Sequence, residues 1–349
     1  MVSPYEPTLD EWRERLANHP RFRADQVWRG LWQEGRELHE LSSVPQALRD
    51  ELAGEYSSQL TVESRVESDH GSTVKWAFRL PDGASIETVL MVYDDRVTVC
   101  VSSQAGCAMG CTFCATGQAG FTRHLSEGEV LEQVMFAART AAPRRLSNVV
   151  FMGMGEPLAN YAVTSRVLRR LHGDRGLSAR HLTVSTVGVA PAIERLAREG
   201  LPVTLAVSLH AANDETRSQL VPLNRRYPLA RLREACETWV EVTGRRLSFE
   251  WALIDGVNDT DRAVDELSAY AWDLRAHVNL IPLNPTPGYL VRGSSRERVR
   301  DFRDQLRERG INVSVRDTRG RSIAAACGQL AYVTEGRRGV SLRSRAGTP

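Results

Sequence analysis

Three cysteines, Cys107, Cys111 and Cys114, stand close together in this 349-residue chain and restrict its fold more than any other feature. Cysteine thiolates are the usual ligands of iron–sulfur clusters, and this motif supplies thiolates for only three irons of a four-iron cubane. The spacing therefore predicts a loop that wraps a [4Fe-4S] cluster and leaves one iron open to another ligand. A structural zinc site is the alternative, but it needs four protein ligands, and His124 is the only further candidate nearby. A disulfide is disfavoured because three is an odd number and because we expect a cytosolic protein.

The bulk composition is that of an ordinary globular protein, with 42% hydrophobic and 25% charged residues. No apolar run approaches the roughly 18 residues that suggest a transmembrane helix. The N-terminus lacks the basic and then apolar pattern of a secretory signal. We therefore expect a cytoplasmic protein without membrane attachment, in which structural disulfides are not expected.

The arginines are concentrated towards the C-terminus. The net charge is +2, yet from position 287 onward 14 arginines stand against 6 acidic residues. A basic C-terminal third favours a polyanionic partner. For the predicted helix over 296–309 alone, a solvated and salt-bridged face is the better interpretation. Candidate phosphate contacts are the arginines in 139–145, 166–170, 225–226 and 292–321.

The region before the cysteines divides into two predicted parts. Residues 1–55 are predicted to form a small helical accessory domain, in which Thr8 begins a capped helix. Its basic face, Arg21, Arg23 and Arg29, suits RNA binding or packing against the rest of the chain, and both alternatives remain open. Residues 56–96 are predicted to form a β-hairpin linker or extension, with its turn at Pro81-Asp82-Gly83.

From residue 97 to residue 332, strand and helix patterns alternate. After a first strand over 97–102, further strands are predicted at 148–152, 182–186, 203–209, 247–253, 278–282 and 312–315. Such alternation indicates a parallel sheet covered by helices, and six units are too few for an eight-fold barrel. The fold class is therefore α/β, a partial (β/α)6 barrel with its ligand site at the carboxyl ends of the strands. Residues 333–349 are predicted to form a mobile basic tail.

Small and polar residues follow the predicted strands. Gly153-Met-Gly155-Glu156 follows the second strand, and its glycines allow a ligand to approach the backbone closely. Ser185 follows the third strand, Ser208-Leu209-His210 the fourth, and Asn284 the sixth. Together they suit a ribose or a carboxylate, although each by itself is also compatible with a capping role.

The cysteine motif resembles that of the radical S-adenosylmethionine (SAM) enzymes, in which the open iron binds the amino and carboxylate groups of SAM. Longer stretches resemble the RlmN/Cfr family of radical SAM methyltransferases. The matching stretches lie at 100–107, 114–121, 148–158, 206–210, 280–285 and 325–330. The resemblance covers the core from about residue 85 to residue 330, and is less specific for the N-terminal helices.

The resemblance assigns roles to individual residues. It implies that Cys107, Cys111 and Cys114 hold one [4Fe-4S] cluster per chain and that Phe113 packs against it. The implied SAM contacts are Gly155, Glu156, Ser185, Ser208, Leu209, His210 and Asn284. On pattern alone, Cys100, Cys236 and Cys327 are small core residues. The resemblance instead makes Cys327 the methyl carrier and Cys100 its resolving partner. It makes Glu87 the proton acceptor, although on sequence alone Glu87 is a solvated hairpin acid.

The implied reaction is methylation of C2 of an adenine in 23S rRNA, at the peptidyl transferase centre, and in tRNA beside the anticodon. Two SAM molecules are used per turnover: one methylates Cys327, and the other yields the radical that activates this methyl group. After addition to C2, Glu87 removes the proton, and Cys100 attacks Cys327 to release the product and leave a disulfide. The chain then needs a flavodoxin-type one-electron reductant and a thiol reductant, and we expect it to be a monomer. The alternatives are a Cfr-like methylation at C8 and, in a different class, a zinc-containing RNA-binding protein.

Overall fold

The structure is a computed structural model that describes residues 1–284, 286, 292–316, 319–320, 323–326 and 328–330. Cys327, the predicted methyl carrier, lies outside the described residues. So does the predicted tail 333–349.

The N-terminal region is helical, as predicted. It contains α1 (Leu9–Arg15), α2 (Phe22–Trp32) and α3 (Gln46–Glu55), with a 3-10 turn at Leu38–Glu40 between the last two. The Thr8 hydroxyl accepts a hydrogen bond from the Glu11 N–H, and the Glu11 carboxylate accepts one from the Thr8 N–H. This capping box satisfies two N–H groups at the helix start and confirms the predicted start of α1.

Four antiparallel strands follow and form one side of the main sheet. They are β1 (Thr61–Ser68), β2 (Thr73–Arg79), β3 (Ser85–Val92) and β4 (Val97–Cys100), paired in chain order. The β2–β3 pair is the predicted hairpin. Strand β1 was not predicted, because both of its faces are largely polar and partly exposed. The hairpin is thus not a separate appendage but continues the sheet of the barrel.

A second, two-stranded sheet closes the base of the cysteine loop. It pairs β5 (Gln104–Gly106) with β6 (Phe121–His124), and helix α4 (Ala115–Ala119) lies between them. Gly106 has φ +77°, and a Cβ on it would lie 2.0 Å from the Gly120 carbonyl oxygen. Only glycine allows this close approach, which lets the Cys107 N–H donate to the same oxygen at 2.7 Å.

The remaining strands continue the main sheet in parallel, in the order β4-β7-β8-β9-β10-β11-β12. They are β7 (Asn148–Phe151), β8 (Leu182–Thr186), β9 (Thr204–Ser208), β10 (Ser248–Leu253), β11 (His277–Pro282) and β12 (Asn312–Val315). Among the described strands the sheet stays open, with β1 and β12 at its edges. The partial barrel is therefore confirmed, as six strand–helix units and a final strand.

Helices connect these parallel strands. They are α5 (Glu127–Ala141), α6 (Tyr161–Gly173), α7 (Ala190–Ala197), α8 (Asp214–Leu220), α9 (Leu229–Thr243), α10 (Asp261–Trp272) and α11 (Arg296–Glu308). Helix α8 was not predicted; its seven residues are mostly polar, and Asn213 caps it. Parallel strands place all their carboxyl ends at one edge of the sheet, which is where the predicted site residues stand.

Arg170 of α6 ties the N-terminal segment to the barrel. It is 8% exposed, and its guanidinium donates to the carbonyl oxygens of Tyr5, Glu6 and Pro7 at 2.8–2.9 Å. It also pairs with Glu127 at 3.1 Å. The prediction that Arg170 contacts RNA phosphate is therefore wrong, because a guanidinium held in this way is not available to a ligand.

Helix α11 carries the salt bridges that were expected of it. Arg298 pairs with Asp261 at 2.8 Å, and Arg309 pairs with Asp265 at 2.7 Å, both on the neighbouring helix α10. Much of the basic charge on this helix is thus used within the fold. Within the described part of the chain, no helix combines the length and the apolar character that crossing a bilayer requires.

Candidate active site

A cleft of about 1020 Å³, partly open to solvent, lies at the carboxyl ends of the parallel strands. It brings together the cysteine loop and the residues that follow β7, β8, β9 and β11. The predicted site residues that line it are Cys107, Cys111, Phe113, Cys114, Gly155, Glu156, Ser185, Ser208, His210 and Asn284. The sequence motifs, which are separated by up to 177 positions, therefore meet in one place.

Of the three cysteines of the loop, Cys111 is buried, and Cys107 and Cys114 are partly buried. Burial raises the pKa of Cys107 to about 12, with smaller contributions from the charges of Glu156 and Cys114. Burial also raises the pKa of Cys111, again reinforced by the neighbouring thiols. Buried thiolates of this kind need a compensating positive charge, which bound iron would supply.

The described side chains do not form a ready-made site for a single zinc ion. Among the described residues, no three His, Cys, Asp or Glu side chains lie close enough together to hold one metal ion. Thiolates around one zinc lie about 2.3 Å from the metal and hence within about 4 Å of each other. The cysteines of a cubane bind different irons and can stand farther apart. His124 does not complete a zinc site, because its Nδ1 lies 3.0 Å from Gln104 Nε2 and its side chain is absent from the cleft lining.

The glycine turn after β7 is packed directly on the cysteine loop. Gly155 has φ +100°, and a Cβ on it would lie 2.5 Å from Cβ of Gln104. The Glu156 N–H donates to the Gln104 side-chain oxygen at 2.9 Å, and the Ser103 N–H donates to the Met154 carbonyl oxygen at 2.8 Å. Any larger residue at position 155 would separate the turn from the loop.

Glu156 places a carboxylate against this cleft. Its two oxygens accept hydrogen bonds from the N–H groups of Leu158, at 2.9 Å, and Val187, at 2.8 Å. It thereby links the ends of β7 and β8. Burial raises the pKa of Glu156 to about 7, although these hydrogen bonds act in the opposite direction. The group is thus poised to become ionised when a donor group binds beside it.

His210 connects the end of β9 to the cysteine loop. Its ring lies 4.5 Å from that of Phe113, edge to face, and its Nδ1 accepts a hydrogen bond from the Ala252 N–H at 3.0 Å. Burial lowers the pKa of His210 to about 3, and the charge of Arg217 adds to this effect. The ring is therefore neutral at physiological pH, and its Nε2 carries the proton.

Leu209 is the predicted SAM contact that the structure does not bring into the cleft. Its side chain is fully buried in the core, and it is not part of the lining. Its N–H donates to the Glu250 carbonyl oxygen at 3.0 Å, and its carbonyl oxygen accepts from Arg217 at 3.1 Å. Both backbone groups are thus used within the fold, so the assignment of Leu209 lacks a free polar group to support it.

Arg217 is a site residue that sequence reasoning missed. It is 1% exposed, and it donates to the Val187 carbonyl oxygen at 2.7 Å, the Ser208 carbonyl oxygen at 3.4 Å and the Asn224 side chain at 2.8 Å. One buried guanidinium therefore holds the loops after β8 and β9, which form one wall of the cleft. No local motif surrounds Arg217 on α8, so this role could not be predicted from the sequence.

Cys100 lies at the end of β4 in a smaller adjoining cavity. That cavity is also lined by Ala325 and Ala326, and Ala326 directly precedes Cys327 in the chain. Met152, Arg316 and Leu330 line both cavities, so the two are neighbours. The structure thus brings Cys100 close to the segment that contains Cys327 and close to the cysteine cleft.

Glu87 lies on β3, where the neighbouring Val89 pairs with Cys100. The expectation that this acid is solvated is wrong, because it is 2% exposed. It does not line either of the two cavities described above. Its carboxylate forms an ion pair with Lys75, at 2.6 Å.

Known proteins resemble this chain over nearly its whole length. The model of the radical SAM superfamily matches residues 101–271. A probable dual-specificity RNA methyltransferase RlmN from Frankia alni is 54% identical, over 91% of this chain and 80% of the relative. Another from Chloroflexus aurantiacus is 49% identical, over 94% of this chain and 92% of the relative. The crystal structure of a radical SAM methyltransferase from Sphaerobacter thermophilus is 50% identical, with a TM-score of 0.92 over 95% of this chain and 99% of that one.

The chain belongs to the RlmN family of radical SAM methyltransferases. The predicted resemblance, fold class and enzyme class are therefore confirmed. The [4Fe-4S] cluster and SAM are the cofactors of this superfamily, and the cleft of this RlmN-family chain is lined by all three cysteines of the motif.

Substitution of Glu156 tests whether this cleft binds SAM. The resemblance predicts that Glu156 contacts SAM, and the Glu156→Gln variant tests this because it lacks an ionised acceptor; a hydrogen bond to a charged group is worth about 1.5–3 kcal/mol. We expect SAM affinity to fall about 10- to 100-fold, measured by equilibrium dialysis of the cluster-loaded protein. Since the pKa of Glu156 is raised to about 7, wild-type affinity should strengthen as the pH rises through 7. A Gln variant with wild-type affinity and the same pH profile would contradict this role.

Substitution of Arg217 tests whether this side chain stabilises the loops after β8 and β9. In Arg217→Met the Val187 carbonyl oxygen and the Asn224 side-chain oxygen lose the donor that Arg217 supplies, which costs about 1–3 kcal/mol for each unsatisfied group. We expect the free energy of unfolding to fall by about 2–4 kcal/mol, measured by urea denaturation, and SAM affinity to fall with it. Arg262→Met is the matched control, because Arg262 is 82% exposed in a surface pair with Glu266. Equal stability of the two variants would show that Arg217 does not hold this wall.

Proposed function

We propose that this chain methylates C2 of an adenine in 23S rRNA, at the peptidyl transferase centre, and in tRNA beside the anticodon. The observation that carries the proposal is the pair of adjoining cavities. One contains the three cluster thiols, and the other contains Cys100 beside the residues that precede Cys327. A methyl carrier on that segment would be within reach of both the cofactor cleft and a resolving thiol.

Bound cofactors would supply the reactive chemistry. Cys107, Cys111 and Cys114 would hold one [4Fe-4S] cluster, and Gly155, Glu156, Ser185, Ser208, His210 and Asn284 would surround SAM. When bound, the cluster supplies one electron and SAM supplies both a methyl group and a 5′-deoxyadenosyl radical, so that two SAM molecules are used per turnover. Phe113 and His210 shield this part of the cleft from water, because both side chains are buried.

The chain's own residues carry the methyl group and complete the transfer. Cys327 holds the methyl group on its sulfur. Glu87 accepts the proton from C2 of the adenine, and Cys100 attacks the sulfur of Cys327 to release the product. The position of Cys100 on β4, next to Glu87's strand β3, supports these roles, because the two strands are paired.

The proposal also implies certain partners. The target adenine must be moved out of its stack to reach a cleft of this kind. The resulting disulfide between Cys100 and Cys327 must be reduced by a thiol donor, and a flavodoxin-type protein would deliver the electron. We propose a monomer that acts in the cytoplasm, where RNA and reductants of this kind are present.

The test is nucleoside analysis of RNA treated with the purified protein. Anaerobically reconstituted protein, SAM and reductant are incubated with unmodified 23S rRNA and with tRNA, which are then digested and analysed by mass spectrometry. We expect 2-methyladenosine from both RNAs. The appearance of 8-methyladenosine instead would show a Cfr-like position, and a product from rRNA alone would remove the tRNA part of the proposal.

A further inference from the structure

The segment that leads to Cys327 is fastened to the antiparallel strands before the barrel. Arg319 donates to the Ser72 hydroxyl at 3.1 Å and to the Val92 carbonyl oxygen at 2.9 Å. The Gly320 N–H donates to Asp69 at 3.0 Å. These contacts join the C-terminal segment to the loop before β2 and to the end of β3. The β-hairpin extension therefore serves as a platform for this segment.

Lys75 on β2 contacts both Glu87, the proposed proton acceptor, and the segment that precedes Cys327, the proposed methyl carrier. Its Nζ lies 2.6 Å from Oε1 of Glu87 and donates to the carbonyl oxygen of Ala324 at 3.2 Å. Ala324 stands three positions before Cys327. One ammonium group thus bridges the buried carboxylate and the segment of the methyl carrier.

Position 75 carries a lysine, whereas the other positively charged side chains counted with it are arginines. Of the 45 basic residues, Lys75 is the one lysine, so the other 44 (45 − 1) are arginines. The guanidinium of arginine is planar, and its N–H donors have a fixed geometry that suits a carboxylate or a phosphate. The ammonium of lysine is compact, and its three donors can point in different directions. A site that must serve a carboxylate and a carbonyl oxygen on two different segments suits the ammonium.

The ion pair places a cationic side chain beside the Glu87 carboxylate inside the protein. The Lys75 side chain is 13% exposed and that of Glu87 is 2% exposed. Burying a carboxylate away from water is costly unless an opposite charge and hydrogen bonds compensate it. A carboxyl group that is to accept a proton must be ionised before the reaction, so its counter-charge matters for function as well as stability.

We propose that Lys75 is a positioning residue for proton removal from the adenine, an inference that rests on the proposed function. It keeps Glu87 ionised and holds the segment before Cys327 in a constant place relative to that carboxylate. In this step the Glu87 carboxylate takes the C2 proton and the C–H electron pair stays with the adenine ring. The unpaired electron left by the radical addition would return to the oxidised cluster held by Cys107, Cys111 and Cys114. Lys75 remains protonated throughout and exchanges no atoms with the substrate.

The test compares Lys75→Met with Lys75→Arg in the cluster-loaded enzyme acting on RNA. Positioned general bases contribute about 10²–10⁴-fold to a rate, so we expect Lys75→Met to lose at least about 30-fold in turnover. We also expect it to accumulate the covalent protein–RNA adduct, seen as a shifted band on a denaturing gel. Methylation of Cys327 should remain, as measured by peptide mass spectrometry. Lys75→Arg keeps the charge beside Glu87 but not the compact donor that also reaches Ala324, so it should recover only part of the turnover and accumulate less adduct than Lys75→Met.

Two further variants make the test specific. Arg79→Met is the matched control, because Arg79 lies on the same strand and pairs with the Glu63 carboxylate away from both cavities. It should keep wild-type turnover and show no adduct. Lys75→Gln removes the charge but retains donors, and it replaces Lys75→Met if the latter does not fold by circular dichroism.

The outcomes separate this inference from the proposed function. If a folded variant without the charge turns over within about threefold of wild type, or loses turnover without adduct, the role of Lys75 is overturned. The Glu87→Gln variant must itself accumulate adduct. If it does not, the proposed base is wrong and the inference about Lys75 is overturned with it. If wild-type protein yields no methylated adenine at all, it is the proposed function that fails.

Discussion

The Cys327→Ala variant is expected to transfer no methyl group to RNA and to contain no S-methylcysteine. C2 of adenine is an electron-poor aromatic carbon without a lone pair, so it cannot take a methyl group directly from the sulfonium of SAM. In the proposed reaction the carrier thiol is therefore indispensable, and its loss should lower turnover by about 10³-fold or more, as for other covalent catalytic groups. The measurement is the yield of methylated adenosine, together with a peptide mass spectrum of the segment around position 327.

A cysteine elsewhere in the fold provides the matched control for this loss. Cys236 lies on α9 with its side chain fully buried in the core, and it does not line either cavity. Cys236→Ala should keep turnover within a few-fold of wild type and lose about 1 kcal/mol or somewhat more of stability. Normal turnover in Cys327→Ala, or equal losses in the two variants, would show that Cys327 does not carry the methyl group.

Much of the fold could be predicted because its signals are local. The capping boxes at Thr8 and Ser126 satisfy helix N–H groups within four residues, and both are present in the structure. The parallel strands are buried and apolar, so their runs stand out between helices. By contrast, β1 is largely polar, and the pairing of β5 with β6 depends on the backbone contact between Gly106 and Gly120. Neither feature has a periodic apolar pattern that would reveal it.

Some residues of the site could likewise be predicted from short motifs, whereas others could not. The cysteine spacing and the glycine turn are short motifs that predict a ligand from a few adjacent residues. Arg217 and Lys75 act through contacts with carbonyl oxygens and carboxylates that are distant in sequence, such as Ala324, 249 positions after Lys75. The burial of Glu87 is also not visible in its own segment, because its partner Lys75 lies on the neighbouring strand β2. Such residues become visible only when the chain is folded.

The Cys100→Ala variant is expected to stop after a single turnover with RNA attached to the protein. The proposed reaction passes through an adduct in which the methylene group joins the sulfur of Cys327 to C2 of the adenine. Breaking this C–S bond requires a thiol that attacks the sulfur, and Cys100 lines the cavity beside Ala325 and Ala326. Without it the thioether persists, so multiple-turnover product should fall by about 10³-fold or more. A denaturing gel with labelled RNA should show a stable complex.

A double variant establishes that the trapped species depends on the carrier. Cys100→Ala combined with Cys327→Ala has no methyl group to activate, so it should give no adduct, whereas the Cys100→Ala adduct should map to the peptide that contains position 327. Thiol reductants should not release the RNA, because a thioether, unlike a disulfide, does not exchange with thiols. Free turnover by Cys100→Ala would assign the resolving role to another group. An adduct that survives in the double variant would place the covalent bond on a residue other than Cys327.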